Sequence, residues 1–233
     1  MSGTFNRPPP PGFRGLHPDL PITCYERNLP HWRQKGATYF VTFRLADSLP
    51  QGKLHELAGL KAEWERKHPP PRSKQDWETI SRETEIRVER WLDEGIGECV
   101  LRDRRHADTV TSAMHHFDGA RYELGAYVVM PNHIHAIVRS LEPQIHPLED
   151  VIGSWKQYSA RRINAARSAR EPLWQEETFD RIIRDEEHLE RVLQYIGRNP
   201  KNASLRPNEF VLWVRPEWEA IGWMFEARKP QTS

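Results

Sequence analysis

The chain has 233 residues, 37% of them hydrophobic, and a formal net charge of +1, which suits one elaborated domain with a modest core. Near neutrality excludes bulk attraction to nucleic acid or membrane, so any basic surface has to arise from local clustering. Cys24 and Cys99, without CxxC spacing, exclude a disulfide framework and a zinc ribbon, and together with the lack of a membrane-length apolar run or a signal-like start they predict a cytoplasmic protein with no membrane partner.

Prolines 8 to 11, Gly12, Gly15, Pro18 and Pro21 cannot propagate a helix or sit in a central strand, so an extended arm is expected over 1–35. A single domain follows over 36–214. Its first strand is Ala37 to Leu45, aromatic and β-branched, with Tyr39, Val41 and Phe43 on one face. Leu54, Leu57, Leu60 and Trp64, then Ile80, Thr84, Val88 and Trp91, recur at helical spacing on either side of Pro69 to Pro71 and predict a helical-hairpin insertion at 51–94. Glu98 to Leu101 reads as a short strand, Val110, Met114 and Phe117 space a helix, and Tyr122 to Val129 is a second strong strand. After Pro131-Asn132 comes a strand to Val138 containing His133-Ile134-His135. Ile152, Trp155, Ser159 and Ile163 then stripe a helix whose flank carries Tyr158, and between Gly153 and Arg170 it holds Lys156, Arg161, Arg162, Arg167 and Arg170 and no acid. Leu189, Val192, Leu193 and Ile196 make a further amphipathic helix capped by Asp185, Phe210 to Val214 reads as an edge strand, and 215–233 as a tail, loose from Pro230.

Side chains alternate along a strand, so His133 and His135 point the same way and two neutral imidazoles can share one divalent ion. By itself the pair reads rather as a packed or hydrogen-bonded pair on a sheet face. Tyr158, likewise, is by itself a half-buried helix flank and Trp155 a core residue.

The order of strand, histidine pair and basic tyrosine helix resembles the single-tyrosine HUH transposases, and most closely the REP-associated tyrosine transposases. Tyr39 to Leu45 is similar to that family's first strand, and Phe179 to Glu190 with Tyr195-Ile196-Gly197-Arg198-Asn199-Pro200-Lys201-Asn202-Ala203 to its closing segment. The resemblance implies an α+β fold: a ferredoxin-like antiparallel sheet with helices on one face, to which the helical hairpin is added. It implies a metal-dependent single-stranded DNA endonuclease and strand transferase acting on hairpin-forming repeats, with His133 and His135 on Mg2+ or Mn2+ and Tyr158 attacking phosphorus to give a 5′-phosphotyrosine and a free 3′-hydroxyl. Lys156, Arg161 and Arg162 are then expected on DNA phosphates. The family's polar metal ligand one turn after the tyrosine falls here on Arg162, which cannot ligate a cation; Asp180 is expected to replace it, ahead of Glu176 and Gln157, because an anionic oxygen suits such an ion. A monomer is expected, with a homodimer as the other arrangement. The competing readings are a non-cleaving DNA or RNA hairpin-binding module and a histidine phosphoesterase, the latter disfavoured because position 137 is Ile137 where a third histidine would be wanted.

Overall fold

A computed structural model describes residues 7–26 and 30–226. Strand β3, Tyr39–Arg44, is a central strand because both its faces are apolar; the same holds for β4, Tyr122–Val129, and β5, His133–Ser140, which is buried along its whole length. With the short strands β6, Phe179–Ile182, and β7, Val211–Val214, they form a five-stranded antiparallel sheet in the order β6-β3-β5-β4-β7. The α+β class and the antiparallel sheet are thus as expected.

Helices cover both faces of the sheet rather than one. Helices α3, Arg104–His115, and α4, Leu148–Arg167, bury Val110, Met114, Ile152, Trp155 and Ile163 against Val41, Phe43, Ile134, Ala136 and Val138. Helix α5, Glu186–Asn202, buries Leu189, Val192, Leu193 and Ile196 against Phe40, Val128 and Ile137 on the opposite face. This division follows from strand parity: successive residues of β3 and β5 feed opposite cores, so a sheet apolar on both sides has to be covered twice.

The insertion forms as read, with α1 over Gln51–Lys67 and α2 over Lys74–Asp93. Ser73 and Asp76 build a capping box at the start of α2, while Trp91 and Leu92 anchor its end on Leu49. The segment expected as a short strand near Cys99 is a 3-10 turn, Val100–Arg102, entered through Cys99 at a φ of 52°.

The two ends also differ from expectation. Residues 22–34 are no simple arm: β1, Ile22–Glu26, and β2, Pro30–Gln34, pair antiparallel. In the segment read as a tail, a short helix α6, Pro216–Glu219, leads to Trp218, Trp223 and Phe225, which are buried in the α5 layer because three large aromatic surfaces gain more from burial than from water. The indoles of Trp218 and Trp223 donate to the carbonyls of Pro11 and Pro8, both at 2.9 Å. Gln194 of α5 donates to Met224 O at 2.9 Å and accepts from Glu226 N at 2.8 Å. A Cβ on Gly197 would lie 2.7 Å from the Phe225 ring, so glycine permits this close approach. The stretch expected to be loose from Pro230 lies outside the described residues. Among the described residues, no helix is long and apolar enough to cross a membrane.

Candidate active site

The antiparallel register sets His135 opposite Thr42 and His133 opposite Arg44, with Ile134 turned into the α4 core. Both imidazoles are fully buried, and their Nε2 atoms converge to 3.1 Å. The tautomer of His133 follows from its neighbour. Asn132 donates its amide to the carbonyls of Leu92 and Ile96 at 3.1 and 3.4 Å, so its Oδ1, 2.8 Å from His133 Nδ1, is left to accept from that nitrogen. His133 Nε2 therefore presents a lone pair. Burial, reinforced by the charge of His135, pushes the His133 pKa down to about 3, so the ring is neutral, as a ligand must be. His135 Nδ1 is paired with Thr42 Oγ1 at 2.8 Å, and its ring stacks on Phe40.

Two helices complete the site from above this face. From α5, Tyr195 packs edge-on against His135, with ring centroids 5.2 Å apart and its hydroxyl 3.5 Å from His135 Nε2. One turn later Asn199, 1% exposed, reaches the His133 ring, yet neither its Oδ1 nor its Nδ2 has a hydrogen-bond partner among the described residues. From α2, Glu89 accepts a short hydrogen bond from the Tyr195 hydroxyl and lies 3.2 Å from His135 Nε2. Burial alone would raise the Glu89 pKa, but the charge and hydrogen bond of His135, with the Tyr195 hydroxyl, bring it down to about 2 and keep it ionised. Burial and the Glu89 charge act the other way on Tyr195 and raise its pKa. Glu85 and Asp93, one turn before and after Glu89, are lifted to about 7 and about 6, in each case first by burial, with Glu89 adding to it.

The donor set fits a divalent cation. Ligand atoms of Glu89, His133 and His135 all lie within 4.8 Å of one another; the carboxylate and amide oxygens suit a magnesium- or manganese-like ion, and the two imidazole nitrogens favour the manganese-like one. The amide of Asn199 supplies the independent observation, since a buried amide without partners is costly unless something else occupies it.

The other expected site residues are elsewhere. Tyr158 is 48% exposed on α4, which packs on the far face of the sheet, so the sheet stands between it and the histidines. The helix periodicity placed Tyr158 beside an apolar stripe correctly but carried no information about which face that stripe would cover. Lys156 donates to Glu176 O at 2.7 Å; Arg161 and Arg162 are exposed on α4, as is Gln157. Asp180 pairs in register with Val41 and therefore points to the α4 side, away from the ring nitrogens. There it is held by Arg33 and by His31, whose Nδ1 lies 2.6 Å from it while Nε2 lies 2.9 Å from Glu177. It cannot share an ion with His133 and His135, and strand parity is the reason.

Three residues brought to the site were missed in the sequence. Tyr195 and Asn199 had a readable signal, since a spacing of four puts two polar groups beside the apolar stripe of α5. Glu89 had none: it is one acid among many on a charged helix.

Compared with known proteins, residues 100–199 match the family described as "Transposase IS200 like". No curated protein matches the chain. One similar solved structure is described as "Structure of the REP associates tyrosine transposase bound to a REP hairpin"; it is 18% identical, with a TM-score of 0.33, over 76% of this chain and 72% of that one. The matched residues 100–199 hold His133, His135, Tyr195 and Asn199.

Proposed function

We propose that this protein is a metal-dependent endonuclease and strand transferase for single-stranded DNA next to hairpin-forming repeats, with Tyr195 as its nucleophile. The observation that carries the reading is the convergence of the Tyr195 hydroxyl, the His133–His135 pair and Glu89 on one buried point, in a segment matching a transposase family.

His133, His135 and Glu89 would hold the cation, with the Asn199 amide as a neutral fourth donor. A divalent ion bound there supplies positive charge to the non-bridging oxygens of the scissile phosphate. The Tyr195 Oη forms a bond to phosphorus as the bond from phosphorus to the 3′-oxygen breaks, and the phenolic proton passes to the Glu89 oxygen that already accepts it and from there to the leaving 3′-oxygen. The released strand keeps its 3′-hydroxyl, and the phosphotyrosine ester conserves the bond for rejoining. Phe40 and Thr42 orient His135, and Asn132 orients His133, so both rings are aimed before DNA arrives. Lys156, Arg161 and Arg162, on the other face of the sheet, are assigned to phosphates of the paired stem rather than to the cut strand.

The test is covalent capture. With Mg2+ or Mn2+ and a labelled hairpin oligonucleotide bearing unpaired flanks, the wild type is expected to form an adduct that peptide mapping places on Tyr195. Tyr195→Phe is expected to remove it and Tyr158→Phe to leave it unchanged. An adduct that survives Tyr195→Phe and disappears in Tyr158→Phe would overturn the assignment. Hairpin binding with no adduct in the wild type would instead favour the non-cleaving binding module.

A further inference from the structure

The inserted hairpin has a second side besides the one carrying Glu89. Between α2, β6 and α5 lies a cleft of about 1030 Å³ with Tyr195 in its lining. Ser81 and Arg82 of α2 belong to one wall, Arg181 of β6 to the other, and Trp32 of the β1–β2 hairpin lines it as well.

Three features of this cleft point to one class of ligand. The first is its charge. Arg82 and Arg184 are exposed along it, as are Arg191, paired with Glu187 at 2.5 Å, and Glu83, while two of its acids are neutralised locally, Glu85 by Arg181 at 3.0 Å and Asp180 by Arg33 and His31. The convergence of positive charge is also felt by His188 in the same lining, where burial and then the charges of Arg181, Arg184 and Arg191 depress the ring pKa to about 4. The second is unmet hydrogen bonding: Ser81 Oγ and Arg181 Nε are buried without partners among the described residues. The third is stacking surface. Trp32 and Phe179 are partly exposed along the cleft, and Ile86 is 59% exposed. Guanidinium groups alternating with flat apolar surface between two walls suit an unpaired polynucleotide, whose backbone and bases are both open to contact.

We propose that this cleft is the groove for the unpaired DNA strand leading to the scissile phosphate, so that the insertion makes a single-stranded flank a requirement for binding. The proposal rests on Tyr195 as the nucleophile, because the groove is valuable only if it ends at the reacting hydroxyl.

The experiment uses the full chain carrying Tyr195→Phe, in chelator, so that binding is measured without cleavage. Fluorescence anisotropy compares a blunt DNA hairpin with the same hairpin carrying an unpaired extension. The extension is expected to tighten binding at least about tenfold. Adding Arg82→Glu and Arg184→Glu is expected to abolish that gain, leave the blunt hairpin unchanged, and lower the salt dependence of extended-hairpin binding by about 1.4 in log–log slope for two lost contacts. Both arginines are exposed, so an unchanged melting temperature serves as the folding control. Equal binding of the two hairpins, equal losses on both, or tighter binding of the matching RNA would overturn the proposal. Adduct formation, measured separately without the Tyr195 change, keeps the two readings apart: an adduct unaffected by the arginine changes sinks the groove alone, whereas no adduct despite a clear extension effect sinks the nucleophile alone.

Discussion

Replacing Asn199 with leucine should change the protein in opposite directions depending on whether metal is present. Both polar atoms of this 1% exposed amide lack a hydrogen bond of good geometry among the described residues, the His133 ring being the nearest group to them, and a single unsatisfied buried polar group costs about 1–3 kcal/mol. Leucine has nearly the same shape and no polar atoms, so Asn199→Leu is expected to stabilise the metal-free protein by about 2 kcal/mol, or about 4–8 °C in melting temperature for a domain of this size. With a divalent ion the sign reverses once the substitution weakens ion binding by more than about fortyfold. A cation at a hundred times its dissociation constant stabilises the folded state by about 2.7 kcal/mol, and each tenfold loss of affinity removes about 1.4 kcal/mol of that. Thermal melts in chelator and across a Mn2+ titration read both effects, with His133→Ala as the variant that loses the metal response. Lower stability of Asn199→Leu in chelator with an undiminished Mn2+ response would refute the reasoning, because Asn199 would then be an ordinary structural amide.

Two further outcomes concern the polar cluster on the other face of the sheet. Burial alone would lower the pKa of His31, but its hydrogen bonds to Asp180 and Glu177 lift it to about 9. Protonation is therefore favoured by folding, so its contribution is complete below about pH 6.5 and is lost as pH rises through about 9. The loss amounts to about 3 kcal/mol, and denaturant melts from pH 6.5 to 9.5 should show this decline in the wild type and a flatter profile in His31→Gln. A wild-type profile that is flat or rises over this window would contradict it. Asp180→Ala should cost about 3–5 kcal/mol by leaving His31 and Arg33 without their buried partner, while the Mn2+ affinity of the folded variant stays unchanged. A large loss of Mn2+ affinity would restore Asp180 as a ligand.

Much of the architecture is legible in local pattern. Strands β3, β4 and β5 announce themselves through β-branched and aromatic runs, and α1 and α2 through leucine and tryptophan spacing with the proline break between them. What local pattern cannot supply is the assignment of faces. Tyr158 and Tyr195 both sit on amphipathic helices near basic residues, and only the packing of α4 and α5 on opposite sides of the sheet separates them. The parity of β6, which turns Asp180 away from the histidines, depends on a register with β3 that two segments far apart in sequence do not reveal. Glu89 was the hardest to foresee, because its meaning comes from where the end of α2 docks, through Trp91 and Leu92, and not from anything in its own surroundings along the chain.

The aromatic segment after α6 bears on the chemistry from a distance. Gln194, the residue next to Tyr195, is gripped on both its amide atoms by Met224 and Glu226, and Phe225 lies on the bare backbone of Gly197, midway between Tyr195 and Asn199. Trp218 and Trp223 in turn reach back to Pro11 and Pro8. The two extremities thus form a buckle across the outer side of the helix that carries Tyr195. The alignment of Tyr195 over the histidines is therefore set from behind, and a chain trimmed to 36–214 would keep Tyr195, His133, His135 and Glu89 while losing the brace that aligns them.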